Sequence, residues 1–114
     1  MLVKDGRAVM PFGVMGGAYQ AMGHAHFLSK VLDFGLDLQQ AIDLPRVFPI
    51  PGTMEVEVES TLPVAVQEEL AGRGFRIVPA AEPIGGAQAI MIDWTNVTLQ
   101  GGSDPRKDGC AIGI

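Results

Sequence analysis

Apolar and polar positions divide this chain into short runs separated by glycine and proline. Residues 8–15, Ala-Val-Met-Pro-Phe-Gly-Val-Met, read as a buried strand interrupted by Pro11 and Gly13, and Gly16-Gly17 breaks the pattern. Over 18–34 the period turns helical. Phe27, Val31 and Phe34 share a stripe, Leu28 and Leu32 widen it, and the few polar positions predict a mostly buried helix. Gly35 is placed to end it in a left-handed conformation. Asp37 and Gln40 have capping-box spacing. They open a short helix over 38–43, which must stop by Leu44 because the residue before a proline, here Pro45, avoids helical angles. After a loop over 49–53, Met54-Glu55-Val56-Glu57-Val58-Glu59 alternates strictly. Met54, Val56 and Val58 point to one side, and Glu55, Glu57 and Glu59 to the other, toward solvent. Thr61 is placed to cap a helix over 62–71 with Leu62, Val66 and Leu70 as its stripe, ended by Gly72 and Gly74. Residues 75–78 predict a short strand and 79–85 a loop. Residues 87–93 predict a strand that turns through Trp94-Thr95-Asn96 into a partner over 97–100. Residues 101–106 read as a loop and 110–114 as a last buried strand. The order β-α-α-β-α-β-β-β-β predicts an α/β or α+β fold with helices packed on a sheet.

The 114 residues are the length of a single domain. Eight basic and 13 acidic side chains give a charge of −5. That balance argues against nucleic acid, which is bound through Lys and Arg, and against an anionic membrane surface. The apolar fraction of 47% is that of a chain with a core rather than a disordered one. Asp5 stands where a signal peptide needs an apolar run, and no apolar run approaches the roughly 20 residues of a membrane span. A soluble chain is expected. Cys110 stands alone, so no internal disulfide forms and paired-cysteine zinc sites are excluded.

Candidate chemistry is sparse. Val14-Met15-Gly16-Gly17 sits at a strand-to-helix junction. There the first helical N–H groups lack partners, and glycines admit another group to the backbone. Such a corner holds a carboxylate, a phosphate or an acyl-transfer oxyanion; the plain alternative is a turn chosen for its angles. His24 and His26 lie two apart, which on a helix is not the spacing of shared zinc ligands, so structural roles are expected. Glu55, Glu57 and Glu59 form either a solvated face or a hard-cation face, the former being the ordinary reading of such alternation. Cys110 reads as an inert buried thiol. Asp104-Pro105-Arg106 offers either an ion pair that pins a loop or a contact from Arg106 to a ligand carboxylate, with the structural use favoured. No cofactor and no metal are expected.

Three segments in order carry a resemblance. They are Pro11-Phe12-Gly13-Val14-Met15-Gly16-Gly17 with Gln20 and Gly23-His24; Asp33-Phe34-Gly35-Leu36-Asp37 with Gln40-Ala41-Ile42-Asp43-Leu44-Pro45-Arg46; and Gly85-Gly86-Ala87-Gln88-Ala89-Ile90 with Gly101-Gly102-Ser103-Asp104-Pro105-Arg106-Lys107-Asp108-Gly109. Together, from about Pro11 to Ile114, they resemble the C-terminal part of the small subunit of gamma-glutamyltransferases. The resemblance implies part of an N-terminal-nucleophile hydrolase αββα sandwich with a mainly antiparallel sheet. It also implies a self-cleaving precursor whose new N-terminal threonine attacks a gamma-glutamyl amide such as that of glutathione, with water or an acceptor resolving the acyl-enzyme. In that scheme a glycine pair supplies the oxyanion-hole N–H groups, and it falls on Gly16 and Gly17. Typical members carry Ser-Pro before the pair; Val14-Met15 here marks a divergent, gamma-glutamyltransferase-like branch. The threonine, the glutamate-pocket serines and the large subunit are expected upstream of residue 1, as is any targeting signal (full-length relatives are often periplasmic or secreted). On this view the chain is a C-terminal fragment, inactive alone, that covers its exposed faces by homo-oligomerising. The alternative is an inactive remnant acting as a binding or self-assembly module.

Overall fold

A computed structural model describes residues 1–113. In chain order the elements are β1 (Leu2–Lys4), β2 (Arg7–Met10), β3 (Phe12–Met15), a 3-10 turn (Gly17–Tyr19), α1 (Gln20–Leu32), α2 (Leu38–Asp43), β4 (Val47–Pro49), β5 (Glu55–Val58), α3 (Val64–Gly72), β6 (Arg76–Pro79), β7 (Gly86–Asp93), β8 (Thr98–Ser103) and a second 3-10 turn (Pro105–Lys107). The fold is mixed helix and sheet, as expected. Among the described residues every strand pairing is antiparallel except β5 with β6. The chain divides into two compact units, Met1–Leu44 with Gly85–Ile114, and Pro45–Ile84.

In the first unit, β1 and β2 form a ribbon and β3-β7-β8 a three-stranded sheet. The expected strand over 8–15 breaks at Pro11 into β2 and β3, since proline has no N–H for the ladder. Asp5 (φ 50) and Gly6 (φ 75) turn β1 into β2, a strand pair that periodicity over 8–15 does not predict. The capping box on α2 is present on both sides: Gln40 N–H donates to Asp37 Oδ1 at 2.8 Å and Asp37 N–H to Gln40 Oε1 at 3.2 Å. Gly35 is left-handed, as expected (φ 67). The burial of α1 is overturned. Gly23 and Phe27 are buried, but Leu32 is exposed and Phe34, beyond its end, is 75% exposed. The reason is length. Thirteen helical residues span about 20 Å, and the four-residue strand beneath them about 13 Å, so the helix outruns its support.

Strand β8 continues through Gly101 and Gly102 where a loop is expected. The glycine there serves packing: a Cβ on Gly102 would lie 2.9 Å from Ile42 Cδ1 and 3.0 Å from Leu38 Cβ, so α2 seats directly on the strand. Residues 110–113 form no strand and are exposed, Cys110 included, which overturns both the terminal strand and the buried thiol. A strand needs a pairing partner, and among the described residues none takes this segment; Ile114 lies outside them. The sheet face opposite α1 and α2 carries Met15, Ile90 and Leu99, all exposed, Leu99 at 71%.

The β7–β8 turn stores strain. Asp93 accepts from Thr95 N–H at 2.8 Å, Asn96 N–H at 3.0 Å and Asn96 Nδ2 at 2.7 Å. The Asn96 side chain foremost, then the two backbone donors, holds its carboxyl below the usual range. A lowered carboxylate pKa stabilises the fold above the unfolded value, and that contribution disappears as pH falls through the folded one. Val97 closes the turn at φ 53 while 86% exposed. A β-branched residue there costs about 1–2 kcal/mol and Asn tolerates the region. Val97→Asn is therefore expected to raise stability by about 1 kcal/mol in a denaturant titration.

In the second unit β4, β5 and β6 form one sheet. Val56, Val58 and Leu62 are its core, packed against Val47, Leu70, Phe75 and Ile77. The predicted solvent face of β5 holds only in part. Glu55 pairs with Arg76, and Glu59 is buried. Its Oε2 accepts from Arg46 N–H at 2.9 Å and its Oε1 from Ile84 N–H at 3.2 Å. Arg46 Nη1 donates to the Ile84 carbonyl at 2.8 Å, so one carboxylate and one guanidinium join the two ends of the unit. The predicted cap at Thr61 is also overturned. The helix begins after Pro63, because Leu62 precedes a proline and cannot take helical angles. Leu62 is buried outside the helix and Val66 is exposed.

Candidate functional site

Gly16 and Gly17 stand exposed at the end of β3 with φ 140 and φ 55. Both values lie where side chains are rarely tolerated. The direction of the Gly17 amide follows from what holds the carbonyl behind it. In a planar trans peptide the N–H points opposite to the C=O. The Gly16 carbonyl accepts from Tyr19 N–H at 3.0 Å, which turns the Gly17 N–H away from the 3-10 turn. Met15 pairs with Gly86 at the end of the β3–β7 ladder, and its carbonyl lies 2.6 Å from where a Cβ on Gly85 would stand. Among the described residues no acceptor meets either N–H. Two adjacent N–H groups thus stand at an exposed corner, with open space beside Gly17 and the Gly85 backbone and Tyr19 ring close beside Gly16.

The support for this corner lies in Gly23, one of the residues that carry the family resemblance, and in Tyr19, which the sequence pattern does not single out. Tyr19 is 2% exposed. Gly23 lets α1 close on β3: a Cβ there would lie 2.5 Å from Val14 Cγ1 and 2.7 Å from Tyr19 Cε1. Gly23→Ala is expected to destabilise the protein by about 1–3 kcal/mol through overpacking, against the gain of about 1 kcal/mol that alanine brings to a helix. A lower denaturation midpoint checks the sign.

The histidines serve structure, as expected. Val14 N–H donates to His24 Nε2 at 3.3 Å, so Nε2 is the acceptor and Nδ1 the donor to the Gln20 carbonyl at 2.7 Å. The His24 ring also lies edge-on to Phe12, and His26 edge-on to Tyr19. Asp104 and Arg106 take the structural alternative too. Asp104 is buried and accepts from Ala87 N–H at 2.7 Å, Arg106 N–H at 3.0 Å and Arg106 Nη1 at 3.2 Å. The guanidinium donates onward to the carbonyls of Ile42 (3.0 Å), Asp43 (3.4 Å) and Leu44 (3.2 Å) at the end of α2. Among the described residues no cluster of three metal-ligating side chains occurs, and no helix is long and apolar enough to cross a membrane.

The sequence profile of the gamma-glutamyltranspeptidase family matches residues 1–114. The chain belongs to that family. It is 30% identical to the glutathione hydrolase proenzyme of Bacillus subtilis (strain 168) over all of its own length and 19% of that protein's. Among solved structures it matches the gamma-glutamyltranspeptidase from Pseudomonas nitroreducens complexed with L-DON, with a TM-score of 0.85 and 26% identity. That match covers 99% of this chain and 58% of the other. It also matches the cephalosporin acylase from Bacillus halodurans, with a TM-score of 0.84 and 39% identity over 90% of this chain and 19% of the other. The chain spans about a fifth of the length of the curated relatives it matches. Its helix-and-sheet fold is that of the gamma-glutamyltranspeptidases, which are N-terminal-nucleophile hydrolases, in agreement with the expected fold class.

Proposed function

We propose that this chain is the C-terminal portion of a gamma-glutamyltransferase-like enzyme and that Gly16 and Gly17 supply the oxyanion hole of its acyl-transfer site. The observation that supports the reading is the adjacent pair of exposed main-chain N–H groups at Gly16 and Gly17, neither met by an acceptor among the described residues. Donors preset in this way stabilise charge as it develops on a carbonyl oxygen and need no reorganisation at the moment of reaction. The nucleophile in this reading is the N-terminal threonine implied by the family resemblance, carried on polypeptide outside residues 1–114. It adds to the acyl carbon, the amine departs, and water or an acceptor amine releases the acyl group.

The substrate is the gamma-glutamyl amide of glutathione or a related compound. The 39% identity to a cephalosporin acylase, against 26% to a transpeptidase structure, makes an acyl cephalosporin the comparison substrate. The isolated chain is expected to turn over neither a gamma-glutamyl anilide nor an acyl cephalosporin. Activity is expected once the upstream polypeptide bearing the threonine is co-produced with it. Enzyme-like hydrolysis by the isolated chain would refute this account.

A second reading, a binding or self-assembly module without chemistry, is favoured by the exposed Met15, Ile90 and Leu99 on one sheet face. Under it the isolated chain self-associates through that face in sedimentation, and the co-produced assembly remains inactive.

A further inference from the structure

We infer that Tyr19 is a positioning residue for the Gly16–Gly17 corner, its ring acting as a wedge in a socket built of three glycines; the inference rests on the oxyanion reading above. A Cβ on Gly16 would lie 3.3 Å from Tyr19 Cδ1, one on Gly85 2.7 Å from the same atom, and one on Gly23 2.7 Å from Cε1. Gly16 directly follows β3, Gly85 directly precedes β7 and Gly23 lies in α1. The ring therefore fills the space that side chains at all three positions would need, and the His26 ring backs it at a centroid distance of 6.3 Å.

This arrangement differs from ordinary core packing in what it restrains. Gly16 and Gly85 have φ of 140 and 64, and glycine moves freely among such conformations. Nothing in the side chains of two glycines keeps the Gly16 and Gly17 amides at one angle. A rigid ring filling the space beside both does. Remove it, and the Tyr19 N–H still holds the Gly16 carbonyl, but the segment that carries the bond is free to tilt. A displacement of about 1 Å at a reacting centre costs on the order of 10²-fold in rate, so the loss falls on the transition state and spares substrate binding.

The test uses the assembled enzyme that contains this chain, with a gamma-glutamyl anilide as probe. Tyr19→Leu is expected to lower kcat by about 10²-fold with KM changed by no more than about threefold, and Tyr19→Phe to recover most of the loss. Tyr19→Met serves where the leucine variant does not fold, with thermal unfolding as the control. A folded Tyr19→Leu or Tyr19→Met enzyme with undiminished kcat overturns the inference. So does a change confined to KM, and so does a Tyr19→Phe enzyme as impaired as the leucine variant. Gly17→Val separates the two proposals. If that variant alone loses turnover, only the wedge falls; if Gly17→Val keeps its kcat, the oxyanion reading falls with it.

Discussion

Replacing Gly17 with valine is expected to lower kcat of the assembled enzyme by about 10²–10³-fold, the cost of one misplaced oxyanion donor. The position suits the experiment because a Cβ built there meets nothing within 4 Å, so the branch point of the new side chain has room. It acts through the backbone. At φ 55 a β-branched residue costs about 1–2 kcal/mol, and the peptide relieves that strain by rotating, which swings the N–H off its line. KM is expected to change little, since the donor acts on charge that develops after binding. Were the corner only a turn, the same variant would lose about 1–2 kcal/mol of stability and keep its turnover. Measuring kcat, KM and the denaturation midpoint on one preparation decides between these outcomes.

The largest loss of stability is expected at Asp104. Its carboxylate is the acceptor for the Ala87 N–H at 2.7 Å and the partner of the partly buried Arg106 guanidinium at 3.2 Å. Asp104→Ala leaves an unmet N–H and an unbalanced charge in the interior, worth about 3–5 kcal/mol. That is a large part of the 5–15 kcal/mol (roughly) that holds a typical domain together. Asp104→Asn keeps the shape and one acceptor and is expected to lose less. Urea unfolding of the two variants reads the difference. Equal stability of Asp104→Ala and the parent would show that the buried network contributes nothing.

The sequence made local features legible and long-range ones illegible. The Asp37–Gln40 capping box and the stop before Pro45 depend on residues within a turn of one another, and the structure has both. Pro63 carries the same signal against helix as Pro45, and Asp5-Gly6 has the composition of a two-residue hairpin turn; the Thr61 cap and the single strand over 8–15 run against both. Other features lie beyond any local pattern. Alternation over 54–59 tells which side of a strand a residue faces but not whether that side is covered, so buried Glu59 is invisible in it. The stripe on α1 tells which face packs but not how far the sheet beneath it extends. At the corner, the glycine pair reads as open backbone from its own composition. The socket behind it joins Gly16, Gly23 and Gly85, and no spacing along the chain foretells that meeting.

One consequence follows from the carboxylate of Glu59, which receives the N–H of Arg46 and that of Ile84. The stretch from Pro45 to Ile84 departs from the chain and rejoins it through a single doorway. Segments with neighbouring ends accept insertion, trimming or wholesale exchange more readily than those anchored far apart. Loss of the Glu59 carboxylate would therefore free both mouths of this cassette at once.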